Sequence, residues 1–194
     1  MFVEEFPGAV PADICERIIA CFEADERRKP SQAIRDGVST QTKLRSGTML
    51  APGKKLPEWK ALIDAIEPAL GATMCAYVKK YPGLGHIANS DGLICTSPLI
   101  ERVEPGQGFN WHCDHSPAAW QRVVAGLLYL RTVDAGGGTE FADQHQIIQP
   151  AAGKIALFPP YWTHFHRGVT PTGGVKYVLS YFWVYRSAAG MQQA

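Results

Sequence analysis

The sequence predicts an α+β protein with a mainly β core, in which a double-sheet jelly roll follows an N-terminal helical region. Apolar residues recur at helical spacing in the first half, whereas short extended runs separated by turn residues fill the second. A length of 194 residues with 46% hydrophobic content suits one core. We expect a single domain over residues 1–194, with residues 1–90 as a helical support region and loop and residues 91–186 as the jelly-roll core.

The first helix is predicted from a proline and a repeat. Pro11 suits a first helical turn, where its missing N–H costs no hydrogen bond. Ile14, Ile18 and Phe22 then recur at four-residue spacing along one face. We expect this helix to continue to the neighbourhood of Arg27.

A second helix is predicted to open at Pro57, to be interrupted or kinked at Pro68, and to end at Tyr81–Gly83. The segment Lys29–Gly53 is polar and rich in Ser, Thr, Gly and Lys. Such a composition is typical of a long irregular connection, and this one could be a mobile loop beside the functional site.

The second half of the chain contains the predicted strands. They cover residues 93–104, 123–131, 145–149, 153–158, 162–169 and 175–185. The apolar run Leu127–Leu130 leads into the glycine-rich segment Gly136–Phe141, which we interpret as a strand followed by a tight hairpin.

Three residues form a candidate metal site. His112 and Asp114 lie two residues apart on an extended segment and therefore share a face. With His166 they supply two imidazoles and one carboxylate, a set that leaves open positions on an octahedral ion and is typical of non-heme Fe(II) oxygenases. His164 competes with His166, because strand alternation cannot separate residues two apart. Zinc also accepts such ligands, and an isolated histidine is more often an ordinary hydrogen-bonded residue.

Lys176 is a candidate anion-binding residue. It follows His166 by ten residues and begins the apolar run 177–183. A buried ammonium is costly unless an anion accompanies it. Lys176 could hold the distal carboxylate of a dicarboxylate cosubstrate whose other end chelates the metal. The alternative is a solvated lysine on a strand.

These motifs occur in the order found in one known family, and the chain resembles the prolyl 4-hydroxylase-type family of 2-oxoglutarate- and Fe(II)-dependent dioxygenases. The resemblance rests on the HxD motif at His112, the strand at Tyr129, the GGxTxF segment ending at Phe141, the GxxxxFP strand ending at Pro159, the HRG motif at His166 and Lys176, within residues 99–186. It implies a double-stranded β-helix whose open end holds the metal.

The resemblance also implies roles for individual residues. It selects His166 as the third ligand, places His164 in the pocket or beside the metal, and puts Tyr129 and Thr139 near the cosubstrate. No catalytic side chain beyond the metal ligands is expected. The chain departs from the family at Val103, where many members have a tyrosine that contributes to the cosubstrate pocket.

The implied activity is hydroxylation of an unactivated C–H bond with release of succinate and CO2. Its cofactors are Fe(II), 2-oxoglutarate and O2, with ascorbate as a reductant. The resemblance favours prolyl hydroxylation, but the sequence leaves open whether the substrate is a peptide, an amino acid or another small molecule. Asn110, Trp111 and Arg167 flank the ligands and are candidates for substrate contact.

Two other functions remain open: an oxidative demethylase of nucleic-acid bases, and a non-catalytic metal-binding sensor on the same scaffold. A net charge of +1 gives no basic footprint, so nucleic acid is not an expected partner. No apolar stretch approaches the roughly 20 residues of a membrane span, and we expect a cytoplasmic protein without a membrane partner. Five cysteines without a CxxC pair argue against disulfides and a zinc ribbon. The oligomeric state is undetermined.

Overall fold

The computed structural model describes residues 1–30, 47–86 and 92–186. The helices are α1 (Ala12–Ala24), α2 (Pro57–Lys80) and α3 (Pro82–Gly85). The strands are β1 (Glu4–Phe6), β2 (Lys29–Pro30), β3 (Thr48–Leu50), β4 (Leu93–Cys95), β5 (Leu99–Val103), β6 (Phe109–His112), β7 (Arg122–Tyr129), β8 (Thr139–Phe141), β9 (Gln146–Ile148), β10 (Lys154–Phe158), β11 (His166–Gly168) and β12 (Lys176–Tyr185). Short 3-10 turns occupy Pro117–Ala119 and Trp162–His164.

Two antiparallel sheets form the β core. The large sheet has the order β1-β10-β7-β12-β5-β3-β2, with β4 also paired to β12, and the small sheet has the order β6-β11-β8-β9. From β5 to β12 the chain passes repeatedly between the two sheets, with β8 and β9 consecutive in the small sheet, as in a double-stranded β-helix. The predicted fold class is confirmed.

Two clusters of buried residues hold the layers together. The larger lies between the helices and the large sheet and includes Phe22, Trp59, Ile66, Leu128, Leu179 and Tyr181. The smaller lies between the sheets and includes Tyr129, Phe141, Ile148, Phe158 and Val178. The helices therefore support the outer face of the large sheet and leave its inner face to form the site.

Helix α1 ends three residues before the predicted boundary at Arg27. Asp25 caps the helix in an extended conformation, and its carboxylate accepts a hydrogen bond from the backbone N–H of Arg27 at 2.9 Å. The same carboxylate accepts a hydrogen bond from the Trp59 indole at 2.8 Å. This local turn gives the backbone an alternative to another helical turn, which explains the early end.

Helix α2 runs without interruption through Pro68, so the predicted interruption does not occur. Pro68 is exposed, and water can therefore satisfy the carbonyl that loses its helical partner. Residues on the opposite face, among them Leu62, Ile66 and Leu70, are buried and keep the helix on the large sheet. Burial of this face outweighs the local effect of the proline.

Within the described ranges, α2 is the one helix whose length and apolar composition alone would allow it to cross a membrane. A core helix passes the same test. Trp59, Leu62 and Tyr77 of α2 all belong to the larger buried cluster. We therefore describe α2 as a core helix of this fold.

The segment Gly136–Phe141 does not form the predicted hairpin. Strand β7 pairs with β10 and β12, whereas β8 pairs with β11 and β9. The glycines instead carry the chain from the large sheet to the small one. Gly136 has a φ of 70°, and a Cβ there would overlap the carbonyl oxygen of Thr170. A segment that passes this close to another backbone requires glycines, as a tight hairpin does. The two structures therefore have the same sequence pattern.

Both ends of the predicted irregular connection Lys29–Gly53 contain strands. Lys29 pairs with Met49, and β3 continues onto β5 at the edge of the large sheet. Residues 31–46 lie outside the described residues, so the proposed mobile loop is not described here. The predicted strand ranges also left out β1, β6 and β8, although the segment at His112 was expected to be extended.

Candidate metal centre

The two candidate histidine ligands meet across neighbouring strands of the small sheet. His112 ends β6, His166 begins β11, and the two residues are paired in the antiparallel register. Their ring centroids lie 4.3 Å apart. Cross-strand pairing therefore brings together two residues that are far apart in the sequence.

Asp114 follows β6 in a loop that backbone groups fix in place. The N–H groups of Asp114 and His115 both donate to the carbonyl oxygen of Pro160, at 3.0 and 2.9 Å. Arg122 donates from Nη1 to the carbonyl oxygen of Asp114 at 2.7 Å. The carboxylate is consequently held beside the two histidines.

The three side chains are close enough to hold one ion. His112 Nε2 lies 3.5 Å from Asp114 Oδ1, and His166 Nε2 lies 3.7 Å from Asp114 Oδ2. One potential ligand atom from each residue lies within 4.8 Å of the other two. Two imidazole nitrogens and a carboxylate on one side of an ion match the facial triad of non-heme Fe(II) sites.

Both histidines are oriented by a backbone carbonyl two residues earlier in the chain. His112 Nδ1–H donates to the Asn110 oxygen and His166 Nδ1–H donates to the His164 oxygen, each at 2.8 Å. A neutral imidazole that donates through Nδ1 presents an unprotonated Nε2 for a metal. Asn110 and His164 thus act through their backbones, which any residue could supply.

The protonation states of the site also suit a cation. Burial lowers the pKa of His166 to about 4, so this ring is neutral near pH 7. Burial acts to raise the pKa of Asp114, but the contacts with His112 and His166 and the charge of Arg122 outweigh it, and the pKa lies below its usual value. Neutral imidazoles and an ionised carboxylate are the forms that bind metals.

His164 lies apart from the metal site because it occupies a 3-10 turn and not the predicted strand. Its ring is 3% exposed, and Nε2 donates to the carbonyl oxygen of Met1 at 3.1 Å. The hydroxyl of Thr163 lies 3.0 Å from Nδ1. The alternation that made His164 and His166 equivalent therefore does not apply.

A cavity of about 700 Å³ lies between the two sheets at the metal site. Its walls include the three candidate ligands, Lys176 and Thr139. Phe109 stacks on the His112 ring with a centroid separation of 3.6 Å. The volume lies within the range of small-molecule sites in proteins, so the cavity can hold a ligand beside the metal position.

Lys176 is the buried cation of this cavity. It begins β12, is 5% exposed, and places Nζ 5.5 Å from the centroid of the Tyr129 ring. Burial lowers the pKa of Lys176 to about 8, against the opposing effect of the Glu101 charge. The Tyr129 hydroxyl donates to Thr139 Oγ1 at 2.7 Å.

Trp111 and Arg167, predicted as candidates for substrate contact, lie away from the cavity. Arg167 alternates with the ligand His166 along β11 and therefore lies on the outer face of the small sheet, where it contacts Trp111. Arg167 Nε donates to Glu140 at 2.6 Å, and its guanidinium carbon lies 4.9 Å from the centroid of Trp111. Trp111 also stacks on Phe165, with centroids 5.8 Å apart. Neither lines the cavity.

Two charged residues of the cavity, Glu101 and Arg122, were not predicted from the sequence. Glu101 lies on β5, is 7% exposed, and lines the cavity with Lys176. The signal was a lone acid whose neighbours on the same strand face, Leu99 and Val103, are apolar. An acid on an otherwise apolar face is either at the surface or paired in a site.

Residues 98–185 match the model of the 2OG-Fe(II) oxygenase superfamily, a segment that contains the three candidate ligands and Lys176. Residues 98–185 belong to the 2OG-Fe(II) oxygenase superfamily. The protein is accordingly a 2-oxoglutarate-dependent dioxygenase whose cofactors are Fe(II), 2-oxoglutarate and O2.

Solved structures share the oxygenase fold at low sequence identity. A viral collagen prolyl hydroxylase from Paramecium bursaria Chlorella virus-1 is 17% identical, with 96% of this chain and 97% of that chain covered and a TM-score of 0.65. A Pseudomonas putida prolyl-4-hydroxylase is 19% identical over 96% and 94%, with a TM-score of 0.65. No curated protein gives a significant sequence match.

A further similar structure contains a bound peptide. It is a Trichoplax adhaerens prolyl hydroxylase in complex with a hypoxia inducible factor oxygen degradation domain peptide fragment. It is 14% identical over 94% of this chain and 83% of that chain, with a TM-score of 0.73. These likenesses extend the oxygenase fold to the N-terminal helices, beyond the segment that the family model matches.

Proposed function

We propose that this dioxygenase hydroxylates a prolyl residue of a peptide substrate, with His112, Asp114 and His166 as the Fe(II) ligands and Lys176 as the partner of the distal carboxylate of 2-oxoglutarate. The observation that carries the proposal is the presence of both groups in one cavity of about 700 Å³. The fold is also shared with prolyl hydroxylases, one of them bound to a peptide.

The protein's contribution to this chemistry is binding, orientation and exclusion of water. Bound Fe(II), 2-oxoglutarate and O2 supply the oxidant that hydroxylates an unactivated C–H bond, with release of succinate and CO2. The backbone carbonyls of Asn110 and His164 keep the imidazoles aimed at the ion. Lys176 supplies a positive charge that orients a dicarboxylate. Apolar walls such as Phe182 and Leu99 limit water beside the substrate carbon.

The organisation of the protein is part of the proposal. We propose that residues 1–194 act as one dioxygenase domain, with the helices supporting the large sheet. The described cysteines are all free thiols, which agrees with a reducing compartment, and we propose the cytoplasm. Ascorbate is the proposed reductant after uncoupled turnover. The lysine cation and the net charge of +1 support a peptide substrate over nucleic acid.

The test is Fe(II)-dependent conversion of 2-oxoglutarate to succinate by anaerobically reconstituted protein, supplied with proline-rich peptides or free amino acids. We expect wild type to form succinate together with hydroxyproline detected by mass spectrometry. His166→Ala should abolish both products, whereas Arg167→Ala on the outer face should retain them. Unchanged succinate production in His166→Ala would overturn the proposed metal site. Succinate formed only with a non-prolyl substrate would overturn the prolyl assignment alone.

A further inference from the structure

We infer that the two loops beside Asp114 form an aromatic docking strip, consisting of Trp120, Tyr161, Trp162 and Phe165, for an extended proline-rich segment next to the hydroxylated residue of the substrate. The inference rests on the proposed function, because it takes a prolyl peptide as the substrate. It adds a binding surface outside the cavity, which makes the length of the peptide part of the enzyme's specificity.

The two loops are joined at the metal site. The first loop connects β6 to β7, and the second connects β10 to β11. The carbonyl oxygen of Pro160 in the second loop accepts hydrogen bonds from the N–H groups of Asp114 and His115 in the first. The His115 ring also packs on Tyr161, with ring centroids 4.9 Å apart. The loops therefore form one surface, and this surface includes a candidate metal ligand.

The first loop forms part of the rim of the cavity. Its 3-10 turn contributes Ala118 and Ala119 to the cavity wall. Trp120 follows this turn directly and is 58% exposed. The small alanine side chains leave room for a peptide backbone at the rim, and the indole is the next side chain of the loop. The aromatic docking strip is therefore continuous with the cavity.

The second loop exposes two more aromatic rings. Trp162 is 78% exposed and Phe165 is 40% exposed. Phe165 is supported by Trp111, with ring centroids 5.8 Å apart. The indoles of Trp120 and Trp162 make no ring contact or side-chain hydrogen bond with the residues that the structure describes. A solitary exposed ring needs no explanation, but apolar rings grouped on joined loops are typical of a binding surface.

The chemistry of the strip favours a proline-rich segment over other partners. Residues 115–121 and 159–166 contain no Lys, Arg, Asp or Glu. Such a surface offers no charge to the phosphates of nucleic acid or to a charged peptide. Exposed aromatic rings bind proline-rich segments in the polyproline II form, because this preformed helix loses little conformational entropy on binding. A prolyl substrate supplies a segment of this kind.

Backbone hydrogen bonds hold the first loop in place on both sides of Trp120. The N–H of Ala119 donates to the carbonyl oxygen of Ser116 at 2.8 Å, within the turn. The N–H of Tyr185 donates to the carbonyl oxygen of Gln121 at 3.0 Å. The indole is thus presented by a fixed backbone, so a peptide can bind without the entropy cost of ordering the loop.

The test compares two peptides as substrates of the enzyme supplied with Fe(II) and 2-oxoglutarate. One is a blocked tripeptide with a central proline, and the other is a proline–alanine repeat of about 12 residues, which extends over about 37 Å as polyproline II. Trp120→Ala and Trp162→Ala should each raise the KM of the long peptide about tenfold with little change in kcat, as expected when one aromatic contact is lost. The KM of the tripeptide should change by less than about threefold.

Ile147→Ala is the matched control. Ile147 is 48% exposed on β9 and lies outside both loops. Its replacement also removes exposed apolar area, but it should leave the KM of both peptides unchanged. An effect equal to that of the tryptophan variants would show that the loss is not specific to the strip and would overturn the inference.

The remaining outcomes separate this inference from the proposed function. Equal KM values for the two peptides in wild type, or an unchanged KM of the long peptide in both tryptophan variants, would overturn the docking strip and leave the proposed function intact. If an alanine variant fails to fold, as judged by circular dichroism, the two wild-type KM values decide. A wild-type dimer that dissociates in the tryptophan variants, measured by sedimentation, would assign the strip to a second copy of the chain and overturn the inference. Absence of hydroxyproline from both peptides would overturn the proposed prolyl hydroxylation and this inference with it.

Discussion

The two ends of the cavity are built in different ways. At the metal end, His112 and His166 are paired across two strands and aimed by backbone carbonyls at 2.8 Å. At the cation end, Lys176 is surrounded by side chains from other strands, among them Glu101 and Tyr129. The metal end therefore depends on a short sequence motif and on hydrogen bonds from the imidazoles to the backbone. The cation end depends on side chains from separate strands, each of which can be substituted without changing the others.

The largest expected effect tests the metal end of this comparison. His166→Ala should reduce Fe(II) affinity by more than the roughly 100-fold seen when outer partners of metal ligands are lost, because a ligand itself is removed. His164→Ala should retain most of the affinity, because the carbonyl that orients His166 remains. The measurement is anaerobic competition with a coloured Fe(II) chelator. An equal loss in both variants would show that the His164 ring also acts on the metal.

The difference between the two ends explains what could be predicted from the sequence. His112, Asp114 and Lys176 could be selected because spacing and an apolar context encode their placement. The choice of His166 came from the family resemblance, since the 3-10 turn at Trp162–His164 left no signal in strand alternation. Glu101 was missed because its partner is brought to it only by the pairing of β5 and β12.

The same limit applies to the fold. The periodicity of the first half predicted α1 and α2, because burial of one face follows directly from the apolar spacing. The glycines at Gly136–Gly138 indicated a turn, but the choice between a hairpin and a crossing depends on which sheet receives β8. The early end of α1 depends on Asp25, whose side chain is held by Trp59 of another helix. These features depend on contacts between residues that are far apart in the sequence, and no local sequence pattern encodes those contacts.

A smaller effect, in stability, tests the cation end. The pKa of Lys176 is lowered by burial from 10.5 to about 8, so above pH 8 the unfolded chain binds more protons at this residue than the folded protein. Stability contributed by this residue therefore rises as pH increases from about 8 to 10.5. The difference between the two pKa values corresponds to at most about 3 kcal/mol. We expect the free energy of unfolding to rise by about 2 kcal/mol over this pH range.

The measurement is urea unfolding of wild type and Lys176→Met at several pH values between 8 and 10.5. The difference between their unfolding free energies should change by that amount in favour of wild type. The pH dependence of the two unfolding free energies is compared, and not their absolute difference, because Lys176→Met also removes a positive charge beside Glu101. Parallel pH profiles for the two proteins would show that Lys176 keeps an ordinary pKa.

The smallest expected effect separates the cation end from the core beneath it. Tyr129 is fully buried, and its hydroxyl donates to Thr139 Oγ1 at 2.7 Å. Tyr129→Phe should lower the free energy of unfolding by about 1 kcal/mol, the usual contribution of one hydrogen bond. A double-mutant cycle with Thr139→Val isolates that bond.

If Tyr129 is a core residue, 2-oxoglutarate affinity in Tyr129→Phe should change by less than about threefold, since Lys176 and the metal retain both ends of the ligand. A loss of more than about tenfold would place the phenol in contact with the cosubstrate and would show that the cation end extends to β7.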